Sequence, residues 1–505
     1  MAYHSIGPVE VLGAIVLLCI GIWYYLSSTY GYWKRQGIPG PEPKLLFGNF
    51  KDIVLGKAFI GDGLQQICKE YPGAPMIGVY EMRRPLLILC DLDLLQDVLI
   101  KDFSNFSERG DVIHEKKEPL TAHLVTLETK RWRFFRPRLS PIFTAGKMRK
   151  MFSLIQECAD HFEKYLHVLV DRGEPIDCRE LSAKFTTDVI GSCAFGLNFN
   201  AIADDDSEFR KIGRKLFTID RKRKFLLSIR SAAPWLYKLL GISASIPGVT
   251  EFFIRTVTEM LEYRTKNNVQ RGDLIDTLNE IKQEQSKIDF ELTDGLITAQ
   301  AFVFFVAGFE TSSSTISAAL YELAQHQDVQ DKVRQEILDS SDENNGEVTY
   351  ESVKEMKYLH MVFQETLRLR CPVSATARAA MNDYTFRGTN VTIRKGQKVL
   401  IPISLVHMDP ENYPNPDIFD PERFTEENIK SRHPMSWLAF GDGPRNCIGA
   451  RFAVYQTKLG LIKILSNFKV ETCEKTQIPF VANPTKTLLE PLGGILLKFT
   501  KLDKM

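Results

Sequence analysis

The sequence predicts a mainly α chain with small β-sheets (α+β), tethered by a single N-terminal membrane-spanning helix. Three observations predict it. Residues 292–325 and 448–465 are long and apolar with few charges, which suits core helices rather than strands. Strand signals come only in short pairs, at 76–89, 391–403 and 468–502. Residues 11–32 contain no charged side chain, and a bilayer-spanning helix needs about 20 apolar residues.

The apolar span ends in Trp23, Tyr24, Tyr25, Tyr30 and Tyr32, residues suited to a membrane interface. Lys34 and Arg35 follow it, while the tail before it carries Glu10 and no Lys or Arg. The excess of positive charge on that side puts the chain after Lys34 in the cytosol. A cleaved signal peptide is the rival reading, but it calls for a basic start that is missing here. Ile38-Pro39-Gly40-Pro41-Glu42-Pro43 cannot continue a helix and reads as a stiff hinge. The expected organisation is a membrane anchor over 1–33, a basic, proline-rich hinge over 34–43 and one domain over 44–505.

Within that domain, 76–80 and 86–89 flank a turn at Arg83, Arg84 and Pro85, a hairpin signal. Residues 93–100 form a short amphipathic helix, and 103–125 a long loop of the kind that often carries function. Trp132 and Arg136, four apart, share one helix face. Lys130, Arg131, Arg133, Arg138, Lys147, Arg149 and Lys150 leave other faces basic, either a docking patch for an acidic partner or a plain solvated charge run. Residues 209–227 are basic and amphipathic, and the apolar, aromatic 232–242 follow, so this region reads either as a membrane-surface element or as a buried helix. His407 reads as a satisfied core group. Glu365 and Arg368, three apart, read as a helix pair.

Composition narrows the function. Lys+Arg at 64 against Asp+Glu at 63 gives no pull toward nucleic acid, and 44% apolar content can fill a large core. Nine cysteines without any Cys-x-x-Cys fit a reduced compartment and exclude a zinc knuckle or dithiol motif. No dinucleotide or phosphate-binding glycine loop occurs. Only 58 residues (505 minus 447) follow Cys447, too few for a fused flavin domain, so electrons are expected from another protein.

The chemistry centres on the loop Phe440-Gly441-Asp442-Gly443-Pro444-Arg445-Asn446-Cys447-Ile448-Gly449. Its glycines allow tight turns and close approach to a flat ligand, and Cys447 precedes a helix whose N–H groups lower a thiol's pKa. One thiolate makes a poor zinc site but suits an iron porphyrin with one strong axial ligand. A second centre is Ala307-Gly308-Phe309-Glu310-Thr311-Ser312 in the middle of the 292–325 helix. Gly308 leaves space beside the backbone, Thr311 can bond or release its own helix carbonyl, and a charge at Glu310 is costly unless it has a role or a partner.

Phe-x-x-Gly-x-Arg-x-Cys-x-Gly at Phe440, Gly443, Arg445, Cys447 and Gly449 resembles the haem-binding signature of the cytochrome P450 family. The family's oxygen motif at 307–312, its Trp-x-x-x-Arg, Glu-x-x-Arg and Pro-Glu-Arg-Phe (421–424) follow in family order, and the wording is most similar to the insect microsomal, detoxification-type branch. The resemblance implies the cytochrome P450 fold, haem (iron protoporphyrin IX) and membrane-bound haem-thiolate monooxygenase activity on lipophilic small molecules, either xenobiotics such as plant toxins and insecticides or endogenous lipids and hormones. Cys447 would be the metal ligand, and Thr311 and Glu310 the proton-delivering pair. Trp132, Arg136, Arg378, Arg445 and Arg109 would hold the propionates, with Phe440 and Gly449 also against the cofactor. Val112, Leu120, Phe302, Phe305, Val306, Ala307, Val373, Ser374 and Leu489 would line the substrate cavity. Glu365 and Arg368 would pair internally with an Arg near Pro421.

The same resemblance implies NADPH-cytochrome P450 reductase as donor, so that NADPH serves indirectly, with cytochrome b-five as helper. It also implies O2 and membrane lipid as partners, and a place on the cytosolic face of the endoplasmic reticulum membrane. A haem-thiolate isomerase or dehydratase acting on peroxides and a non-enzymatic haem sensor are the alternative readings.

Overall fold

A computed structural model describes residues 7–204, 207–217, 220–344 and 346–502. The N-terminal helix spans Pro8–Ser27, with Pro8 in its first turn and Glu10 accepting from the Gly7 N–H at 2.9 Å. None of its residues is buried. It stops short of the expected Tyr32, because the tyrosines beyond Ser27 turn onto the body instead. A second helix, Tyr32–Arg35, buries Trp33, whose Nε1 donates to the Val79 carbonyl at 3.0 Å. Gly78 makes this possible, since a Cβ there would lie 2.3 Å from the Trp33 ring. The aromatic end of the span is thus split. Trp23, Tyr24 and Tyr25 stay exposed, while Tyr32 bonds Gln397 at 2.8 Å and Tyr30 packs edge-on against Tyr80. The junction with the body falls earlier than residue 33.

Strands Met76–Glu81 and Arg84–Leu89 form the expected hairpin, but its turn is Met82-Arg83, one residue earlier than predicted. The order of this sheet is Met76–Glu81, Arg84–Leu89, Lys398–Ile401, Thr376–Ala379, with the middle pair parallel (Leu86 opposite Lys398) and the others antiparallel. A second sheet pairs Leu496–Lys501 with both Phe468–Thr472 and Ile176–Asp177. The expected long loop between Phe103 and Val125 is irregular apart from single turns at Phe103–Asn105 and Pro119–Thr121.

The core is helical and built around Asp294–Gln325. Thr293 caps this helix by accepting from the Leu296 N–H at 3.1 Å. It is apolar and long enough to cross a membrane, as the N-terminal helix is, yet most of it is buried inside the body. Gly308 lets the Cys178–Ile190 helix cross closely, because a Cβ at Gly308 would lie 2.6 Å from Ile190. The space that the sequence reading left beside Gly308 is therefore filled by a side chain. On another side runs Ala450–Leu465, where Gln456 Nε2 donates to the Gly308 carbonyl at 3.3 Å.

The Lys357–Leu369 helix carries the expected internal pair. Arg368 Nε and Nη2 reach Glu365 at 2.7 and 2.8 Å, and Arg423 Nε lies 3.5 Å from the same carboxylate. His407 is a core group as expected but only half satisfied: its Nε2 accepts from the Leu438 N–H at 2.8 Å, while its buried Nδ1 has no hydrogen-bond partner among the described residues. Helices Glu208–Phe217, Arg221–Ala232 and Pro234–Leu239 make up the basic, apolar region. Thr218 and Ile219 within it lie outside the described residues. Trp235, Leu239 and Leu240 there are exposed, whereas Tyr237 is buried.

Candidate active site

The Cys447 loop is pinned from several sides. Gly443 has φ 72°, and a Cβ there would stand 1.9 Å from the Leu99 carbonyl oxygen, so only glycine fits. Cys447 N–H donates to the Phe440 carbonyl at 2.8 Å, which closes the loop on itself. Phe440 packs on Trp437 and Phe363. Arg136 clamps Asn446 through its carbonyl at 2.8 Å and its Oδ1 at 2.7 Å. Cys447 lies deep in the chain yet keeps accessible surface, as a ligand thiol must. Burial pushes its thiol above the ordinary value, against the opposing pull of the Gly449 N–H, Arg136 and Arg109. The lowered pKa expected from the helix N-terminus is therefore not seen, because desolvation outweighs it.

Next to the loop stands a group of arginines. Arg378 is 2% exposed; its Nη1 donates to the Ala377 carbonyl and its buried Nε has no acceptor. Arg109 reaches Thr376 at 3.4 Å and the Arg445 carbonyl at 3.3 Å, and its Nε is likewise buried without an acceptor. Burial and the two neighbouring guanidiniums push Arg378 down to about 9. Among the described residues, none of Arg109, Arg136, Arg378 and Arg445 forms an ion pair.

Arg445 is braced on one side. Its Nε donates to the Ser107 carbonyl at 2.6 Å and its Nη2 to the Leu127 carbonyl at 2.7 Å, and its plane lies 4.5 Å from the Trp132 ring. Its Nη1 has only a 3.5 Å contact with the Val125 carbonyl, so the fork is fixed by two backbone carbonyls and an aromatic face with one donor group weakly engaged. Trp132 is correspondingly buried. Gly449 is the N-terminal cap residue of the Ala450–Leu465 helix, and a Cβ on it would meet only Phe143 at ordinary contact distance.

On the central helix, Phe302, Val306, Ala307 and Thr311 keep accessible surface while Phe309, Glu310 and Ser312 are buried. Ala307 and Thr311, four apart, share one helical face with Gly308 between them, while Phe302, nine residues before Thr311, lies half a turn round the helix from it. Thr311 Oγ1 donates to the Ala307 carbonyl at 2.7 Å. Glu310 does not share that face. Its carboxylate is gripped by Arg179, which also holds Glu490 at 3.1 Å and Ser313 at 2.6 Å. Burial raises Glu310 to about 7, the pull of Arg179 opposing it.

Other predicted residues divide. Val112, Leu120 and Phe302 line a cavity of about 270 Å³ between the 111–126 loop and the 216–250 segment; Cys447 and Thr311 are not in its wall. Phe305 corrects the reading: it is fully buried against Phe195, Phe199, Phe209, Phe253 and Phe309, on the packing side of its helix. Ser374 is also buried, close against Gly61, while Val373 between its buried neighbours is exposed. Leu489 is half-buried, and its N–H donates to the Pro372 carbonyl at 2.9 Å. Sequence reasoning missed Arg179, Glu490 and Asn446. Asn446 stood inside the quoted loop and could have been named, but nothing local marks the other two.

A haem fits these residues, which bring together a deep, accessible thiol and a set of guanidiniums lacking counter-charge, two of them with buried N–H groups that have no acceptor. The family model described as Cytochrome P450 matches residues 38–499. The chain is 40% identical over 492 residues to cytochrome P450 6a2 of Drosophila melanogaster, spanning 95% of this chain and 97% of that protein. It is 38% identical over 505 residues to cytochrome P450 6A1 of Musca domestica, covering 97% and 99%. To cytochrome P450 6k1 of Blattella germanica it is 36% identical over 510 residues, covering 97% of each.

Proposed function

Because the chain belongs to the cytochrome P450 family it is a haem-thiolate monooxygenase, and we propose that it oxidises lipophilic small molecules, xenobiotic or endogenous, at a membrane surface. The observation that carries the reading is the accessible Cys447 thiol beside a surplus of buried arginine charge, below one open face of an otherwise buried helix. Haem bound there, with Cys447 as its ligand, would supply iron able to activate dioxygen.

The chain's own residues do the rest. Cys447 is the ligand, fixed by the Phe440 carbonyl and the Arg136–Asn446 clamp. Arg378 and Arg109 offer unpaired N–H groups to the carboxylates, and the Arg445–Trp132 stack holds the walls around them. Thr311 holds a hydroxyl proton on the open face and can pass it on by releasing the Ala307 carbonyl. Glu310, raised to about 7 by burial, can exchange a proton with the neighbouring Glu490 behind the helix, while Arg179 keeps its charge and holds both carboxylates and Lys486 lies 3.3 Å from Glu490.

Electrons come from NADPH through NADPH-cytochrome P450 reductase, with cytochrome b-five as helper. The N-terminal helix anchors the domain on the cytosolic face of the endoplasmic reticulum, and the exposed Trp235, Leu239 and Leu240 rest against the lipid surface.

Reconstitution with reductase and NADPH, screened against lipophilic compounds, tests the reading. Product should form only with NADPH, and Cys447→Ala should abolish the thiolate-type band of the reduced carbon monoxide complex. A surviving band, or no NADPH-dependent product with any compound, refutes it.

A further inference from the structure

Two turns of the body are bound to the foot of the N-terminal helix. Arg83, between strands Met76–Glu81 and Arg84–Leu89, lies 3.9 Å over the Tyr25 ring and donates to Ser28 Oγ at 3.2 Å, while its carbonyl accepts from Thr29 Oγ1. The 394–397 turn is held by Tyr32, whose Oη donates to Gln397 Oε1 at 2.8 Å, and by Gln36, whose Oε1 accepts from the Thr392 N–H at 3.1 Å. Both turns are therefore tied to residues 25–36, where the apolar span ends.

Between them lies a pocket of about 270 Å³, separate from the cavity described above. Its charged lining is Arg84, Lys395 and Lys398 against one carboxylate, Glu81. Glu81 stands opposite Arg84 in the hairpin. Among the described residues neither Lys395 nor Lys398 forms an ion pair, and Asp383 takes only the Lys395 backbone N–H, at 2.9 Å. Arg83 beside the pocket forms no ion pair either, and its buried Nε has no acceptor. Arg35, and Lys34 at 4.0 Å from an exposed Glu42, add charge on the Tyr32–Arg35 helix.

The 44–48 turn supplies an apolar edge. Gly48 bridges Glu81 of the pocket wall, and Leu45 and Leu46 in the same turn are 41% and 50% exposed. Unpaired cations beside exposed leucines match an amphiphile with an anionic head, whereas a free anion would make no use of the leucines. Basic residues clustered just cytoplasmic of a span attract anionic lipid.

We propose that this pocket binds the head group of an anionic phospholipid, its phosphate between Lys395 and Lys398 and its acyl chains entering the bilayer past Leu45 and Leu46. The proposal rests on the reading of Pro8–Ser27 as a membrane anchor. A lipid held there ties the first sheet to the bilayer beside the anchor, so the domain's tilt depends on the charge of the leaflet.

The test reconstitutes the full-length holoenzyme in vesicles of equal parts phosphatidylcholine and phosphatidylserine. The protein is extracted in mild detergent, and the lipid it retains is counted by native mass spectrometry. Wild type should retain phosphatidylserine in excess of phosphatidylcholine. Lys395 is exposed at the tip of its turn, so its substitution spares the fold. Lys395→Gln should cut the excess about fivefold, the factor that corresponds to about 1 kcal/mol per basic residue at an anionic surface. Lys395→Arg should keep the excess, and Lys430→Gln, on the Glu426–Ser431 helix, should leave it unchanged. Equal retention of the two lipids by wild type overturns the proposal, as does an excess that survives Lys395→Gln or falls equally in Lys430→Gln. An excess abolished by added inorganic phosphate assigns the pocket to a free anion and overturns it too. The anchor reading fails separately: alkaline carbonate then releases the chain from the vesicles, whereas a chain that stays embedded without the excess refutes the lipid site alone.

Discussion

Two groups of buried charge in this molecule are opposites. Around Glu365, Arg368 and Arg423 the cations have a counter-charge: two arginines share a carboxylate that is fully buried, and the remaining donors of Arg368 reach the His407 and Ile418 carbonyls, although two cations share one anion and the buried Arg423 Nε has no hydrogen-bond acceptor. Around Arg378 and Arg109 no carboxylate forms an ion pair among the described residues, and two buried N–H groups face no acceptor. Burial penalises both groups. It raises Glu365, with Arg368 pulling the other way, and it drives Arg378 down to about 9 with its neighbours adding to the push. The difference separates charge that holds the fold from charge that awaits a ligand. A protein can bear an unbalanced buried charge only where something else supplies the missing sign.

Breaking the balanced group should have the larger effect on the fold. Glu365→Gln leaves two buried guanidiniums facing a neutral amide, a loss of about 3–5 kcal/mol. The expected outcome is a variant that unfolds at much lower urea, or that accumulates no folded protein. An unfolding midpoint within experimental error of wild type would show that the Glu365 group is not the structural one. Arg378→Gln should do the reverse. It removes a surplus charge, so the haem-free chain should lose no stability, while haem retention falls about tenfold for the loss of one charge-assisted pair. Urea unfolding of the haem-free chain and haem transfer to apomyoglobin measure the two sides. If Arg378→Gln instead destabilises the haem-free chain, the proposed distinction between the two groups fails.

The third charge group, Arg179 with Glu310 and Glu490, lies between these extremes and sharpens the comparison through pH. Glu310 titrates at about 7 in the fold against an ordinary 4.5. A raised carboxyl pKa means that the folded chain binds more protons than the unfolded one across that window. Its stabilising contribution is complete below about pH 4.5 and is lost as pH rises through about 7. Glu490, held below its ordinary value with Arg179 as its main charge partner, runs in the opposite sense, so the net slope is shallower than for Glu310 alone. Glu310→Gln mimics the protonated acid and should remove the decline, leaving the variant progressively more stable than wild type as pH rises from about 5 to about 8. Urea midpoints measured across that range check this, and parallel curves for the two proteins would dismiss the shift.

Much of the architecture was legible because its signals are local. The hairpin at Met76–Leu89, the long central helix, and the Glu365–Arg368 pair three residues apart all follow from spacing within one element. The cysteine loop was legible as a resemblance. The contacts that the sequence did not reveal share a different cause. Arg445 finds its carbonyls 318 and 338 residues away in sequence, and Glu310 finds Arg179 at a separation of 131. No period or motif encodes such partners. They depend on which loop the fold delivers beside a side chain, which also explains why Phe305 turned into an aromatic core while Phe302, three residues before it, reached the cavity.

The same logic of balance applies on the surface, where the smallest effect is expected. The basic residues from Lys130 to Lys150 read either as a docking patch or as a plain solvated charge run, and most of them are already paired. Lys130 meets Asp289 at 2.6 Å, Arg131 meets Glu115 and Glu128 at 2.7 Å, Arg138 meets Glu284 at 2.8 Å and Arg149 meets Glu351 at 2.6 Å. Lys147 donates to the Gly272 carbonyl at 2.8 Å. Arg133 and Lys150 are exposed, and among the described residues neither has an ion-pair partner. Arg133 lies on the helix whose Arg136 grips the Cys447 loop, which makes it the residue on which to test the proposed donor's approach. Charge steers association over about one Debye length, roughly 10 Å at 0.1 M salt, and an unpaired cation contributes more to that field than one already neutralised. Arg133→Glu should therefore slow reduction by added reductase by about threefold at low salt, with the gap closing as salt rises. Arg149→Glu should give a smaller change, since its field is already offset by Glu351. Equal slowing by both substitutions, or a gap that persists at high salt, would mean that local pairing does not decide which surface charges act.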